Sequence, residues 1–360
     1  MTQRERQILL LIERDPMISQ QDLADKLGIT RSSVAVHISN LLKKGHIAGK
    51  GYVLRSGSYA VVVGGVNMDI GGRAFSPLVE ADSNPGAITM SLGGVGRNIA
   101  HNMALMGTDV RLLTAFGEDV YGQRIAASCS ELGIDASHAL RVSDLPTSTY
   151  LFIAGPDGDM AMAMSDMQIA DRINPGYLAS NLSLLQNAQV VVCDTNIPQE
   201  SLVYLAENCT APLFCDPVST KKAEKLRPIL DRIHTLKPNL LEAQLLADMH
   251  IDNKKDVDKV AAKLLEKGVH RLFISMGADG MFAATKDEQM WLPNLPGTVV
   301  NTTGCGDAAM AALVWSYLEG TDLRGTAMAG LAAGSIAMES RETINPAMSA
   351  TALRQRMQTK

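Results

Sequence analysis

The sequence predicts a doubly wound α/β body on a mostly parallel sheet, preceded by a small basic helical head. Apolar runs at 59–63, 188–193, 213–215 and 272–275 are each the length of one buried strand. Helix-like stretches at 201–208, 240–249 and 257–267 separate the last three, and such alternation makes a parallel sheet covered on both faces. Charge sets the head apart: residues 1–57 carry nine Lys/Arg and five Asp/Glu, a net of +4, whereas 58–360 carry 24 against 33, a net of −9. A basic head on an acidic body points to a polyanion as the head's partner.

The chain's 360 residues suggest two domains, and at 46% hydrophobic and 20% charged they exclude wholesale disorder. No apolar run reaches bilayer length, so no membrane association is expected, and MTQRERQ is too charged for a signal peptide. The five cysteines (129, 193, 209, 215, 305) never form a CxxC pair, which argues against a disulfide framework and a structural zinc. A reduced, cytoplasmic protein is expected. His101, His138, His234, His250 and His270 lack ligand spacing.

In the head, Thr2 and Glu5 form a capping box, Ile8, Leu9, Leu11 and Ile12 give a buried stripe, and Asp15-Pro16 ends the helix. Ser19 opens a second helix, with Leu23, Ala24 and Leu27 on one face and Gly28 closing it. A third spans 31–44, with Val34, Ile38, Leu41 and Leu42 inward. Two helices joined by so short a glycine turn make a helix-turn-helix. HIAGKGYVL (46–54) then reads as two short strands around Gly49-Lys50-Gly51, a wing, and Ser56-Gly57-Ser58 as a linker. The expected division is a head at 1–55, a linker at 56–58 and a body at 59–360.

This head resembles the winged helix-turn-helix domains of bacterial regulators. The resemblance implies DNA as partner, with Thr30, Arg31, Ser32, Ser33 and His37 on the face entering the major groove and Lys43, Lys44 and Lys50 on phosphates. Dimerisation, or packing on the body, is the alternative use of the same fold.

In an open α/β sheet, ligands bind beyond the carboxyl ends of the strands. Five segments there carry polar residues among glycines: Gly64-Gly65-Val66-Asn67-Met68-Asp69, Gly93-Gly94-Val95-Gly96-Arg97-Asn98, Lys237-Pro238-Asn239-Leu240-Leu241-Glu242, Ser275-Met276-Gly277-Ala278-Asp279-Gly280 and Asn301-Thr302-Thr303-Gly304-Cys305-Gly306-Asp307. The last opens a helix expected over 308–318. Gly304-Cys305-Gly306 offers open backbone N–H groups and the positive dipole end to an anion, and Asp307, expected at the first helical position, adds a carboxylate. An anion hole beside a base suits phosphoryl transfer to a hydroxyl. On this motif alone, a glycine turn with Asp307 as a helix cap fits equally well.

Together, the five segments resemble the PfkB (ribokinase-like) carbohydrate kinase family over residues 59–348. ADSNPG (81–86), GGVGRNIA (93–100), DPVS (216–219) and HTLKPN (234–239) are most similar to its bacterial pseudouridine kinase branch. The resemblance implies an ATP-dependent, Mg²⁺-using nucleoside or sugar kinase with Asp307 as the base on a 5′-hydroxyl and Gly304, Cys305 and Gly306 as the anion hole. It places Asp69 and Asn98 on ribose hydroxyls, with Asn67, Gly93 and Gly94 completing that pocket. Asn239 and Glu242 would organise Mg²⁺ and the ATP phosphates through water, and Ser275, Gly277 and Gly280 would line the nucleotide. The absence of GxxxxGK[ST] excludes a P-loop NTPase.

Asn301 stands where relatives carry Asp, beside Thr303, at a position implied to bind a monovalent cation such as K⁺. Segments 70–92 and 147–165, the second turning at Pro156-Asp157-Gly158, would form a small β lid and a homodimer surface. Met160, Met162 and Met164 are expected on the lid's inner face. Asp166 touches the substrate or is a solvated turn residue. Another nucleoside (inosine, cytidine, uridine) or a free sugar is the alternative substrate. A regulator using the kinase-like body as a ligand sensor is the rival class.

Overall fold

Ala60–Val63, bounded by Gly64-Gly65, has no polar face to offer water, and this strand, β1, lies inside the main sheet of the body. The computed structural model describes residues 2–44, 46–47 and 59–359, with Glu13 and Arg14 by backbone alone. The expected wing beyond Ile47, Lys50 and the linker at 56–58 lie outside the described residues. The chain divides into two units, Met1–Ser58 and Tyr59–Lys360.

The body's further strands are β2 (Asn67–Ala74), β3 (Gly86–Gly93), β4 (Val110–Leu113), β5 (Ala115–Gly117), β6 (Leu140–Val142), β7 (Thr149–Ala154), β8 (Met160–Asp166), β9 (Val190–Asp194), β10 (Leu213–Asp216), β11 (Thr235–Leu236), β12 (Arg271–Ser275), β13 (Met281–Ala284) and β14 (Gln289–Leu292). Eight form one sheet in the order β14-β13-β12-β11-β10-β9-β1-β4, parallel except at the β12–β13 and β13–β14 pairs. Alternate residues feed two cores. Val61, Val63, Val191 and Cys193 enter one, and Ala60, Val62, Val190 and Val192 the other, so helices cover both faces. This is the doubly wound arrangement that the alternation predicts. Val63 pairs with Cys193, and Asp194 with Asp216, so the carboxyl ends of three neighbouring strands form one rim.

A second sheet, β3-β2-β7-β8, contains the expected lid segments, with β2 beginning at Asn67 and a turn at Pro156-Asp157. Registers Ile70↔Leu151, Leu151↔Met164 and Ile70↔Met90 gather an apolar face across all four strands. Met160, Met162 and Met164 do not pack inward, contrary to expectation: they are 59%, 63% and 73% exposed, because this face has no covering layer within the body.

In the head, Thr2 and Glu5 complete the capping box of the helix Gln3–Arg14. Gln20–Leu27 ends on Gly28 at φ 62°, and Arg31–Lys43 follows. Leu42 points outward, 44% exposed, because Leu41 takes the inward position and the next residue is rotated about 100° around the helix. The five cysteines are free, and no helix among the described residues is long and apolar enough to cross a membrane.

Candidate active site

Asp194 and Asp216, the last residues of β9 and β10, are both buried. Asp194 accepts from the Gly65 and Asn196 N–H groups at 2.9 and 2.8 Å; burial nevertheless lifts its carboxyl to about 6. Asp216 lies 3.1 Å from the buried Lys237 ammonium and accepts from the Val218 N–H at 2.9 Å. A side chain at Gly64 would collide with Asp194 and one at Gly96 with the Gly64 backbone, so β1 and the helix Val95–Leu105 can meet beside Asp194 only through glycines.

The last motif opens the helix Cys305–Leu318, three residues before the expected start. Asp307 is therefore its third residue, and Gly304 is the cap at φ 82°. The helix starts early because Gly304 takes the left-handed turn; a side chain there would strike the Thr343 carbonyl. Asp307 is partly open to the crevice, but desolvation, reinforced by Asp216, raises its carboxyl to about 7. Asn98 Nδ2 donates to Asp307 Oδ2 at 2.9 Å and, with Lys237, opposes that rise.

The residues expected on the sugar form two hydrogen-bonded pairs. Asn98 bonds Asp307 through its amide nitrogen, while its Oδ1 is buried with no hydrogen-bond partner among the described residues. Asn67 Nδ2 donates to Asp69 Oδ1 at 2.5 Å, and burial raises the half-buried Asp69 carboxyl against that bond. Gly93 lies opposite Asn67, and a side chain on it would overlap Asp69; Gly94 turns at φ 98°. Asp166, by contrast, ends β8 exposed and accepts from the Gln168 N–H at 3.5 Å.

Ser275, Gly277, Gly280, Cys305 and Gly306 share a cleft of about 420 Å³ with Asn294, Leu295, Val299 and Met338. Its walls are apolar and glycine-rich, and it reaches the open helix start, so it suits a flat base with a phosphate chain. Asn239 and Glu242 stand outside it as the capping box of the helix Leu240–Ala247, with bonds of 2.8 and 2.9 Å. Burial raises the Glu242 carboxyl. No group of three His/Cys/Asp/Glu side chains among the described residues could hold a metal. Asn301 Oδ1 accepts from the Thr303 N–H at 3.0 Å, and its Nδ2 donates to the Arg341 carbonyl at 3.2 Å.

Asp194, Asp216 and Lys237 received no role from the sequence. Their signal was positional, since all three follow the apolar ends of neighbouring parallel strands.

In the head, Arg31, Ser32 and Lys43 are exposed, while Ser33 and His37 are partly buried. Lys44 is engaged by Glu5 at 2.8 Å, which removes much of its freedom to meet a phosphate.

A family model described as pfkB family carbohydrate kinase matches residues 58–350, and one described as winged helix-turn-helix DNA-binding matches 1–47. The chain is 40% identical over 354 residues to an uncharacterized sugar kinase, YeiI, of Escherichia coli (strain K12), covering 97% of each. It is 39% identical over 298 residues to the pseudouridine kinase of the same organism, covering 82% of this chain and 95% of that protein. A carbohydrate kinase from Agrobacterium tumefaciens superimposes with a TM-score of 0.74 at 26% identity, over 83% of this chain and 97% of that one. The body is thus an ATP-dependent phosphotransferase acting on sugar or nucleoside hydroxyls. The chain belongs to the PfkB carbohydrate kinase family and carries a winged helix-turn-helix segment at its head.

Asp307 has a pH signature in stability. Its folded value, about 7, lies above the ordinary 3.8, so the fold favours the proton; that stabilisation is complete below about 4 and lost as pH rises through 7. Asp307→Asn should therefore raise the melting temperature relative to the parent far more at pH 8 than at pH 5. An equal shift at both pH values contradicts the assignment.

Proposed function

We propose that this chain transfers the γ-phosphoryl group of ATP to the 5′-hydroxyl of a nucleoside, pseudouridine first, and that its head (1–55), joined through 56–58 to the body (59–360), binds DNA. The carrying observation is the Asn98–Asp307 pair at the start of the glycine-fronted helix. A carboxylate poised near 7 takes a proton efficiently at neutral pH. Asp69 and Asn98 hold the ribose hydroxyls, which turns the 5′-hydroxyl toward Asp307. The N–H groups behind Gly304, Cys305 and Gly306 receive the charge that develops on the phosphoryl oxygens. Mg²⁺ on the nucleotide neutralises its phosphates. Asn239 and Glu242 orient the water around that ion, and Asn301 and Thr303 mark the place for K⁺. Likeness to pseudouridine kinase over 95% of that protein's length supports the nucleoside. The equally similar YeiI, described as a sugar kinase, supports a free sugar as the second reading. The activity belongs in the cytoplasm, where ATP is plentiful.

ADP release from Mg-ATP with pseudouridine, uridine, cytidine, inosine, ribose and fructose, with and without K⁺, tests the substrate. Turnover is expected with pseudouridine, and Asp307→Asn should lower it about 10²- to 10⁴-fold without weakening nucleoside binding. Normal turnover by that variant contradicts the role of Asp307, and silence across the panel with nucleoside binding intact favours the sensor.

For the head, Arg31→Ala with Lys43→Ala should weaken DNA retention most at low salt and make the log–log salt dependence shallower by about 2. Unchanged retention removes these residues from the interface. The apolar face of the second sheet is read as a homodimer surface, in which two copies cover each other's Met162 and Leu151. Met162→Asp should then convert a sedimenting dimer to monomer, and a monomeric parent would end that reading.

A further inference from the structure

Phosphoryl transfer needs positive charge at the migrating group as well as a base at the acceptor. The Walker lysine is absent from this sequence. Lys237 follows β11 on the same rim as Asp194 and Asp216, is 5% exposed, and has its Nζ 3.1 Å from Asp216 Oδ2. It also lies 3.5 Å from where a Cβ on Gly306 would be, beside the open N–H groups of the helix Cys305–Leu318. A buried ammonium is costly unless it is both paired and hydrogen-bonded. Here Asp216 Oδ2, 3.1 Å from Nζ, supplies both the opposite charge and a hydrogen-bond acceptor. Asp216, Asp307 and Glu242 all act on Lys237, and together they outweigh the burial that opposes its charge. The cation is thus fixed in place by more acid than one ion pair requires, and an ammonium carries three N–H donors, more than the single Asp216 oxygen takes up.

We propose that Lys237 is a catalytic residue of the transfer: its ammonium donates to a non-bridging oxygen of the γ-phosphoryl group at the Gly304–Gly306 helix start, and Asp216 holds it there. This rests on the kinase reading of the same site. In the step, the bond from γ-phosphorus to the ADP oxygen breaks and a bond to the acceptor oxygen forms. The acceptor's proton passes to Asp307, while Lys237 keeps its own protons and supplies charge. Because the γ-phosphoryl group is present in ATP and gone in ADP, Lys237 distinguishes the two nucleotides.

The test compares the full chain with Lys237→Met, Lys237→Arg, and Lys237→Met combined with Asp216→Asn, which leaves no stranded buried charge should the single variant fail to fold. Calorimetry with Mg²⁺ measures ADP and a non-hydrolysable imido analogue of ATP. Loss of the ammonium should weaken the triphosphate about 10- to 100-fold, as a charged hydrogen bond implies, and leave ADP unchanged. Turnover should fall about 10²- to 10³-fold in both methionine variants, with partial recovery in Lys237→Arg. Equal effects on both nucleotides, or full turnover in the double variant, overturn the proposal. Should the parent phosphorylate no acceptor, the kinase reading alone falls, and the nucleotide comparison still decides the role of Lys237.

Discussion

A carboxylate taken out of water must be met by N–H groups or a cation, or it takes up a proton. The rim of the main sheet sets three carboxylates against that constraint. Parallel, in-register pairing of β9 with β10 places Asp194 beside Asp216, and the helix Cys305–Leu318 adds Asp307. Asp194 is met by two backbone N–H groups, and Asp216 by Lys237 and the Val218 N–H. Burial lifts Asp194 to about 6 even so, and Asp307, with the Asn98 amide as its hydrogen bond, is raised further, to about 7. The acid with the fewest partners thus stands at the glycine-fronted start of that helix, where the proposed transfer takes a proton.

The glycines follow from the same constraint. Gly64, Gly96 and Gly304 sit where a side chain would strike Asp194, the neighbouring backbone or the Thr343 carbonyl. Their absence of bulk lets β1, the helix Val95–Leu105 and the helix Cys305–Leu318 converge on one crevice. Two half-sites meet there: the Asn67–Asp69 and Asn98–Asp307 pairs on one side, and the apolar cleft from Ser275 to Met338 on the other. That division suits a polar acceptor on one side and a nucleotide on the other, joined at Gly304–Asp307.

Much of this was legible in the sequence because buried parallel strands are written as unbroken apolar runs, and 59–63, 188–193, 213–215 and 272–275 each fall on a strand. Asn98 and Asp307 were both singled out, although their meeting across 209 positions of chain is visible only in three dimensions. What stayed hidden depends on neighbours. Asp194 and Asp216 look like ordinary strand-end acids until the register pairs them, and Lys237 looks like a solvated lysine until burial is known. Leu42 and Met160–Met164 were misplaced because an apolar residue at a given spacing tells which face it shares, not whether anything covers that face. Asp307 was placed two positions early in its helix because Ala308 looks like a better helix former than Cys305 or Gly306, whereas the left-handed Gly304 decides the start.

The central claim is that Asp307 is a base set near neutrality by its surroundings, and it can be observed without any substrate. Carbon-13 carboxyl NMR of Asp-labelled protein, with Asp307→Asn to assign the signal, would follow its titration directly. The account predicts a midpoint near 7. A midpoint near 4, the value of an exposed aspartate, would contradict it.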